Sequence, residues 1–346
     1  MNPFTLNFGI EPTSYISRNT LKDEIIHSFN ANPSTSNLYM ITGLRGSGKT
    51  VFLTDIEDYF RDQGWIVFDL SIETNLLQSF AAKLYNHQKL RSFFNLAKLN
   101  FSHLGIGIEI NGEPPITDLS TAIERMLDVV KKKNKKILIS VDEAVNSETM
   151  RTFASTFQIL LREHYPVYLL MTGLYENIYD LQNVKTLTFL YRAPKITLSP
   201  LNTTAMVVEY QGIFKNTLEE AREMANLTKG YPYAYQVTGY LCFKNGTKHI
   251  TEEVLNSFDV YMDEYVYSKI WQEQSPVKRK ILMAIGSSKT GRVKDIRDSL
   301  SMSSNAFSVY RQRLIRQGLI QSDGYGKVKL TLPRFEVFMD NQFFDE

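Results

Sequence analysis

The sequence predicts an α/β fold with a parallel β-sheet in its first part, followed by a helical segment and a small basic module. Three observations indicate this order. A glycine-rich turn separates an apolar strand from an amphipathic helix, strands and helices then alternate along the chain, and the segment 275–338 is strongly basic. Strands that are joined by helical crossovers form parallel sheets, and such sheets bind ligands at the carboxyl ends of their strands.

The composition is that of a globular protein. Of the 346 residues, 43% are apolar and 12% are aromatic, so the chain can build the cores of two or three domains. Its single cysteine excludes an internal disulfide, and its five histidines show no spacing typical of a metal site. No apolar stretch approaches the roughly 20 residues of a membrane span, and no secretory signal pattern begins the chain. We therefore expect a cytoplasmic protein without a membrane partner.

A phosphate-binding motif connects the apolar run NLYMIT to the helix that follows it. Residues 43–50, GLRGSGKT, fit the pattern G-x-x-x-x-G-K-[ST] at every fixed position. Between a strand and a helix, backbone N–H groups and the positive helix end bind phosphates. Lys49 is then expected to reach the β and γ phosphates, and the Thr50 hydroxyl to bind Mg²⁺. A chance match in a surface turn is the alternative. The cofactor-binding residues that the motif predicts are Gly43, Leu44, Arg45, Gly46, Ser47, Gly48, Lys49, Thr50 and Val51.

A pair of acids follows another apolar run, Ile137–Val141, which is typical of a buried strand of a parallel sheet. Hydrolysis of a nucleotide needs a carboxylate that holds the metal and usually a second one that activates water. We therefore expect Asp142 to bind Mg²⁺ through water and Glu143 to polarise the attacking water. Two solvated loop residues are the alternative. The preceding KKKNKK run, residues 131–136, reads most simply as a solvated turn, with nucleic-acid contact as its alternative.

Residues 65–71 and 165–174 supply two further predicted strands, separated from the others by helical stretches. Thr172, near the end of the second of them, is expected beside the acid strand, where it positions the attacking water or senses the γ phosphate. A plain cap of the strand end is the alternative. Residues 101–113 alternate apolar and polar positions around an Asn-Gly turn signal, so they predict an irregular insertion or a hairpin at the periphery of the sheet.

Residues 201–272 are helical by pattern, and the Ser275-Pro276 pair then marks a boundary near residue 273. Beyond it, two short helical patterns precede a third helix, with Ser303 as its expected N-cap and Gly318 as its stop. The LIQS and KVKLTL segments, joined by a DGYG turn, predict a two-stranded wing. Three helices and a hairpin together predict a winged helix-turn-helix.

The charge of this last module contrasts with that of the rest of the chain. Residues 275–338 contain 13 Lys and Arg and four acidic residues, a net charge of +9, whereas the whole chain carries +2. Such an asymmetry is typical of a module that binds a polyanion. Duplex DNA is the expected partner, and docking of a protein is the alternative. The predicted phosphate contacts are Arg313, Arg316, Lys327 and Lys329, and the predicted base contacts in the major groove are Asn305 and Gln312.

Together these motifs resemble the AAA+ ATPases of the origin-recognition initiator type and the related archaeal-type ATPases of prokaryotes. The resemblance extends over nearly the whole chain, through YISRNTLKDEI, the glycine-rich turn, LISVDEA, LLMTGL, RAPKITLSPL and GYPYAYQ. It implies that Ile16 and Arg18 flank the base of ATP. It also implies that Arg192 is an arginine finger, which reaches the γ phosphate of a neighbouring subunit in a homo-oligomer. An arginine before a strand also suits a surface ion pair.

The chain departs from the initiator pattern in residues 201–272, which the resemblance identifies as the lid. Where many AAA+ lids present an arginine to the γ phosphate, LTKGYPYAYQ offers only Lys229 nearby. The segment looks closer to the Gly-x-Pro lid of signal-transduction ATPases, in which proline contacts the base and the nucleotide acts as a slow switch. By that resemblance Tyr231 and Pro232 are cofactor-binding residues.

The expected domains are a P-loop AAA+ nucleotide-binding domain at 1–200, a helical lid at 201–272 and a winged-helix domain at 273–346. The expected function is slow, Mg²⁺-dependent ATP hydrolysis that couples the nucleotide state to duplex DNA binding. Two alternatives stay open. One is a signalling switch whose winged helix docks a protein, and the other is an accessory ATPase of a transposition or defence system that recruits a protein effector.

Overall fold

The computed structural model describes residues 1–7, 9, 11–96 and 118–342, which belong to two compact units. The sheet unit contains Asn19–Thr42 and Lys49–Thr197, and the helical unit contains Met1–Arg18, Gly43–Gly48 and Leu198–Glu346. The glycine-rich turn itself thus belongs to the helical unit, whereas the strand before it and the helix after it belong to the sheet unit. The insertion or hairpin predicted at residues 101–113 lies outside the described residues.

The sheet unit is built on five parallel strands. They are β1 (Leu38–Thr42), β2 (Ile66–Leu70), β3 (Ile137–Val141), β4 (Val167–Gly173) and β5 (Lys195–Thr197), in the order β2-β3-β4-β1-β5. The strand predicted at 137–141 is confirmed, and those predicted at 65–71 and 165–174 are one or two residues shorter at their ends. Every residue of β1, β3 and β4 is buried, as expected for apolar strands covered on both faces. The predicted α/β class with a parallel sheet is confirmed.

Helices cover the sheet in the described part of this unit. They are α1 (Asn19–Asn30), α2 (Lys49–Asp62), α3 (Leu76–Asn86), α4 (Gln88–Leu96), α5 (Leu119–Lys132), α6 (Glu148–Arg162), α7 (Tyr175–Gln182) and α8 (Thr188–Arg192). Side-chain caps fix where several of them begin, because Asn75, Asp118 and Ser147 accept hydrogen bonds from the first turns of α3, α5 and α6. Apolar faces of α3–α8 and one face of the sheet form a buried core. Phe29 of α1 and Phe52 and Phe60 of α2 are also buried.

The helical unit begins with the helices of the predicted lid. They are α9 (Thr203–Phe214), α10 (Leu218–Leu227), α11 (Pro232–Lys244), α12 (Glu252–Met262) and, after a π-helical turn at Asp263–Tyr267, α13 (Ser268–Gln272). Thr217 and Glu220 form a capping box at the start of α10, and Pro232 occupies the first turn of α11. The helical pattern predicted for this segment is therefore observed, and the π-helical turn is an addition to it.

The basic module follows in the same unit. Its elements are α14 (Pro276–Gly286), α15 (Val293–Ser299), α16 (Ser304–Gln317), the antiparallel pair β6 (Ile320–Ser322) and β7 (Val328–Leu330), and α17 (Phe335–Gln342). Ser303 caps α16 and Gly318, with φ of 84°, ends it, as expected. Helix α17 is an element that the sequence did not predict. One buried core extends through both the predicted lid and the basic module, and the domain boundaries expected at 200 and 272 stay predictions. In the described ranges no helix has the length and apolarity to cross a membrane.

Candidate nucleotide-binding site

The glycine-rich turn presents unpaired backbone N–H groups. Gly46 and Gly48 have φ values of 67° and 82°, a left-handed conformation that other residues rarely adopt. A side chain on Gly46 would also collide with the ring and hydroxyl of Tyr231. Among the described residues, the N–H groups of Gly46 and Gly48 donate to no acceptor. Such N–H groups in a tight turn form a concave site for an anion.

The carbonyl groups of the turn, by contrast, are already paired within the helical unit. The Tyr231 hydroxyl donates to the carbonyl of Arg45, and the Tyr233 N–H donates to that of Gly46 at 3.2 Å. Burial raises the pKa of Tyr231, so its phenol stays protonated and remains a donor. The carbonyl groups of Arg45 and Gly46 are thus paired, whereas the N–H groups of Gly46 and Gly48 have no acceptor among the described residues. The turn is therefore suited to an anion.

Arg18 lies against the same turn. Its Nη2 donates to the carbonyl oxygens of Ser47 at 3.2 Å and Ser199 at 3.0 Å. Burial lowers the pKa of the guanidinium, but an arginine remains charged at neutral pH. Arg18 Nε and Ser47 Oγ are buried and have no hydrogen-bond partner among the described residues. Buried polar atoms without partners are rare, so these two atoms are candidates for contact with a ligand.

The other residues predicted near the base also belong to the helical unit. Ile16 is buried in its core, and Pro232 begins α11. A Cβ atom placed on Gly48 would lie 3.8 Å from Pro232 and 3.6 Å from Nη1 of Arg18. Pro232 and Arg18 therefore both lie beside the turn.

The end of the motif begins α2 in the sheet unit. Lys49 is its first residue and is 7% exposed, and it has a partner within the protein. Thr50 and Val51, in the same first turn, are half-buried. The first turn of a helix carries unpaired N–H groups and a partial positive charge, which attract phosphate.

Hydroxyl groups converge on Asp142 at the carboxyl edge of the sheet. Thr50 Oγ1 donates to Asp142 Oδ2 at 2.6 Å, and the Thr172 hydroxyl donates to Asp142 Oδ1. Because β3 and β4 are parallel neighbours with Val141 opposite Met171, the residues that follow meet at one edge. Thr172 thus lies beside the acid strand, as expected. With Glu143, these side chains are called the acid cluster below: Thr50, Asp142, Glu143 and Thr172.

Glu143 has an unusual backbone conformation, with φ of 53°. Its N–H holds that conformation by donating to Asp142 Oδ1 at 3.0 Å and to Thr172 Oγ1 at 3.3 Å. Left-handed backbone at a residue other than glycine is costly and concentrates at functional sites. The Glu143 side chain is exposed, and its carboxylate accepts no hydrogen bond from any described residue. The carboxylate is therefore free to contact a water molecule.

The donor set of the acid cluster fits Mg²⁺. The described residues contain no group of three or more His, Cys, Asp and Glu side chains that could hold a metal. Mg²⁺ beside a phosphate does not need one, because the ion keeps several waters and binds one or two carboxylates together with phosphate oxygens. The Thr50 hydroxyl and the Asp142 carboxylate, 2.6 Å apart, provide oxygens of this kind.

Arg192 lies at the opposite edge of the sheet from the acid cluster. It ends α8 and lines a cleft of about 980 Å³. The cleft also includes Asn37, Lys136, Pro166 and Pro194, which immediately precede β1, β3, β4 and β5 and so mark the amino ends of the strands. Arg192 is exposed, and no described carboxylate lies within salt-bridge distance of it. Within one chain, Arg192 and the acid cluster cannot contact the same phosphate.

The residues predicted to contact DNA lie on the exposed surface of the basic module. Phe307 and Leu314 of α16 are buried and form its inner face. The predicted contacts on the same helix are all exposed: Asn305, Gln312, Arg313 and Arg316. This helix therefore presents a polar, basic face.

The hairpin exposes two further lysines. Lys327 and Lys329 are exposed on either side of buried Val328, so they project to the same face. Lys329 Nζ lies 2.8 Å from Asp323 Oδ1, and this contact lowers the pKa of the Asp323 carboxyl. Arg292, before α15, forms an isolated bridge with Lys327 and extends the hairpin by a third short segment.

Two residues that contact the glycine-rich turn had no signal in the sequence. Tyr233 binds it through the backbone, and Glu273 accepts hydrogen bonds from both Nε and Nη2 of Arg45, at 2.9 and 2.7 Å. Arg45 and Glu273 are 228 residues apart, and neither periodicity nor a motif links them. Lys229, the cation of the LTKGYPYAYQ segment, donates to the carbonyl of Leu332 at 3.1 Å in this structure.

Comparison with known proteins gives one match to a family model. Residues 264–339 match the family described as "Domain of unknown function (DUF8462)". This matched range includes most of the basic module. No curated protein matches the chain.

Several solved structures have a similar arrangement over nearly the whole chain. Cdc6p from Pyrobaculum aerophilum is 12% identical, with 99% of both chains covered and a TM-score of 0.47. Orc1 from Aeropyrum pernix, solved in complex with DNA, is 12% identical, with 98% of this chain and 95% of that chain covered and a TM-score of 0.43. AMPPCP-bound DnaA from Aquifex aeolicus is 14% identical, with 99% and 96% covered and a TM-score of 0.44. These values are too low to transfer a function to this chain.

Proposed function

We propose that the protein binds and hydrolyses Mg²⁺-ATP. The observation that carries this proposal is the glycine-rich turn. Its N–H groups at Gly46 and Gly48 have no acceptor among the described residues, whereas the carbonyl groups of Arg45, Gly46 and Ser47 accept hydrogen bonds. A turn of this kind, followed by Lys49 at the start of a helix, is suited to the phosphate groups of a nucleotide.

The proposed roles follow from the chemistry of each group. Lys49 neutralises the β and γ phosphates, and Thr50 with Asp142 holds Mg²⁺, which offsets phosphate charge when it is bound. Glu143 accepts a proton from the attacking water, because its carboxylate is exposed and has no hydrogen-bond donor among the described residues. Thr172 orients Asp142 through its hydrogen bond. The resemblance to initiator-type ATPases adds Ile16, Arg18 and Pro232 at the base.

Isothermal titration calorimetry with Mg²⁺-ATP tests the proposal. Lys49→Ala should weaken binding by about 10- to 100-fold, since a charge-assisted contact to phosphate is lost. Lys185→Ala is the matched control, because Lys185 is an exposed lysine of the sheet unit outside the motif. Equal ATP affinity in the wild type and in Lys49→Ala would show that the turn is not the nucleotide site.

We further propose that the basic module, α14–α16 with the β6–β7 hairpin, is a winged helix-turn-helix that binds duplex DNA. The exposed polar and basic face of α16 supports this proposal, together with the net charge of +9 over residues 275–338. In this proposal ATP binding regulates DNA binding, and the expected boundaries at residues 200 and 272 separate the nucleotide-binding, lid and DNA-binding parts.

A signalling switch is the second candidate function, and one observation favours it. The LTKGYPYAYQ segment of the predicted lid contains no arginine, and its Lys229 donates to the carbonyl of Leu332. A lid segment without an arginine for the γ phosphate suits slow turnover and a long-lived bound state. In that case the basic module docks a protein, and duplex DNA does not bind at low salt.

A further inference from the structure

Arg45 is the one basic residue among the four variable positions of the glycine-rich motif, and its side chain is already paired. Its Nε and Nη2 both donate to Oε1 of Glu273, at 2.9 and 2.7 Å. The two side chains are 33% and 31% exposed, so the pair is partly shielded from water. Arg45 therefore contributes its backbone to the turn, while its guanidinium is directed to Glu273.

Glu273 stands at the junction between the predicted lid and the basic module. It follows the last residue of α13 as its C-cap, and Ser275 two residues later caps α14. A displacement of this junction would thus move the carboxylate that holds Arg45. The pair links the turn to the start of the basic module within the helical unit.

A second contact ties the turn to the same module. A Cβ atom placed on Gly318, the residue that ends α16, would lie 3.4 Å from Leu44 Cγ. Leu44 and Arg45 are adjacent. Leu44 lies beside the end of α16, and Arg45 is bound to Glu273, three residues before α14 begins, so two consecutive residues of the turn face the basic module or its start. The Tyr231 hydroxyl also donates to the carbonyl group of Arg45. This hydrogen bond limits how far Arg45 can move without disturbing the N–H groups of Gly46 and Gly48.

We infer that Glu273 is a positioning residue of the nucleotide site: through Arg45 it fixes the glycine-rich turn in the conformation that binds phosphate. This inference rests on the proposed function. Its physical basis is pre-organisation, because a turn that is held in its binding conformation before the ligand arrives loses less entropy when the ligand binds. Neither Arg45 nor Glu273 needs to contact the nucleotide through its side chain.

The test measures Mg²⁺-ATP affinity by calorimetry in Glu273→Gln and Arg45→Gln. We expect each to bind about three- to five-fold more weakly than the wild type, with an unchanged midpoint of thermal unfolding. Glu223→Gln, an exposed glutamate of α10 in the same unit, is the matched control and should bind like the wild type. The double variant should be no weaker than either single one, because both remove the same interaction.

Two further readouts separate positioning from a general structural role. The charge swap Arg45→Glu with Glu273→Arg should regain most of the affinity, and the difference between wild type and Glu273→Gln should shrink as salt rises from about 50 to 500 mM. If the wild type binds ATP and Glu273→Gln binds it equally well, the inference is wrong and the proposed function stands. The same holds if the two single variants are weaker but their effects add in the double variant. If the wild type binds no ATP at all, the proposed function fails, and this inference with it.

Discussion

Asp142 and Glu143 are neighbours in the chain but differ sharply in surroundings. Asp142 is half-buried and accepts hydrogen bonds from two threonine hydroxyls and from the Glu143 backbone. The Glu143 carboxylate is exposed, and no residue in the described part of the chain donates to it. A carboxylate that is fixed by several donors suits a constant role such as orientation of a metal and its waters. An unpaired carboxylate suits proton transfer.

Glu143→Gln should therefore separate binding from hydrolysis. We expect ATP affinity to be retained, because no phosphate contact is removed, and turnover to fall on the order of 10² to 10⁴ because the water loses its base. Phosphate release under single-turnover conditions measures the chemical step directly. Glu148→Gln, an exposed glutamate in the first turn of α6, is the control of equal charge. Unchanged turnover in Glu143→Gln would place the base elsewhere.

At the scale of elements, the sequence predicts best what is local or set by parallel topology. The run at 137–141 is a strand with its acids at the carboxyl end, and Thr172 lies beside them because neighbouring parallel strands end at one edge. The pair of Arg45 and Glu273 could not be predicted, since it depends on tertiary packing across 228 residues. The π-helical turn at Asp263–Tyr267 likewise lies inside a continuous helical pattern that gives no sign of it.

In the hairpin of the basic module, one of the two lysines that were predicted to contact phosphate is already paired with a carboxylate. Lys327 and Lys329 follow the period of two and project together. Lys329 is paired with Asp323 across the hairpin, whereas Lys327 has no salt-bridge partner among the residues that the structure describes. Both members of that pair are about half exposed, at 52% and 50%, so the pair itself is weak. It nevertheless places a negative charge beside a lysine that was predicted to meet phosphate.

Lys327→Ala should consequently affect DNA binding more than Lys329→Ala. In fluorescence anisotropy across salt concentrations, the first should weaken binding to all duplexes alike and reduce the salt slope by about 1, the value for one lost phosphate contact. The second should reduce it less, and Asp323→Asn should strengthen binding. Lys248→Ala, an exposed lysine between α11 and α12, is the control.

Gln312→Ala should instead change the preference of the protein among DNA sequences, because base contacts carry sequence specificity. No duplex binding by the wild type near 50 mM salt would favour the protein-docking alternative.

At the scale of the whole molecule, positive charge is concentrated in one part of the chain. Residues 275–338 carry +9 and the chain carries +2, so all other residues together carry −7. A field of this kind attracts a polyanion to the basic module and repels it from the remainder. The sheet unit nevertheless has an exposed cation without a partner among the described residues, Arg192, at the amino edge of its sheet. Its own acid cluster lies at the other edge, so any role of Arg192 in hydrolysis requires a second copy of the chain.

Arg192→Ala tests whether such an assembly forms. The variant should bind ATP like the wild type, because its own site is intact, but its turnover should be lost. Mixed in equal amounts with Glu143→Gln, which keeps its arginine, it should regain about a quarter of the wild-type rate, since one interface in four then joins an intact Glu143 to an intact Arg192. Arg162→Ala, at the exposed end of α6 next to Leu161 of the same cleft, is the control and should keep full turnover. Turnover that is independent of protein concentration, with no recovery on mixing, would mean that Arg192 takes no part in hydrolysis.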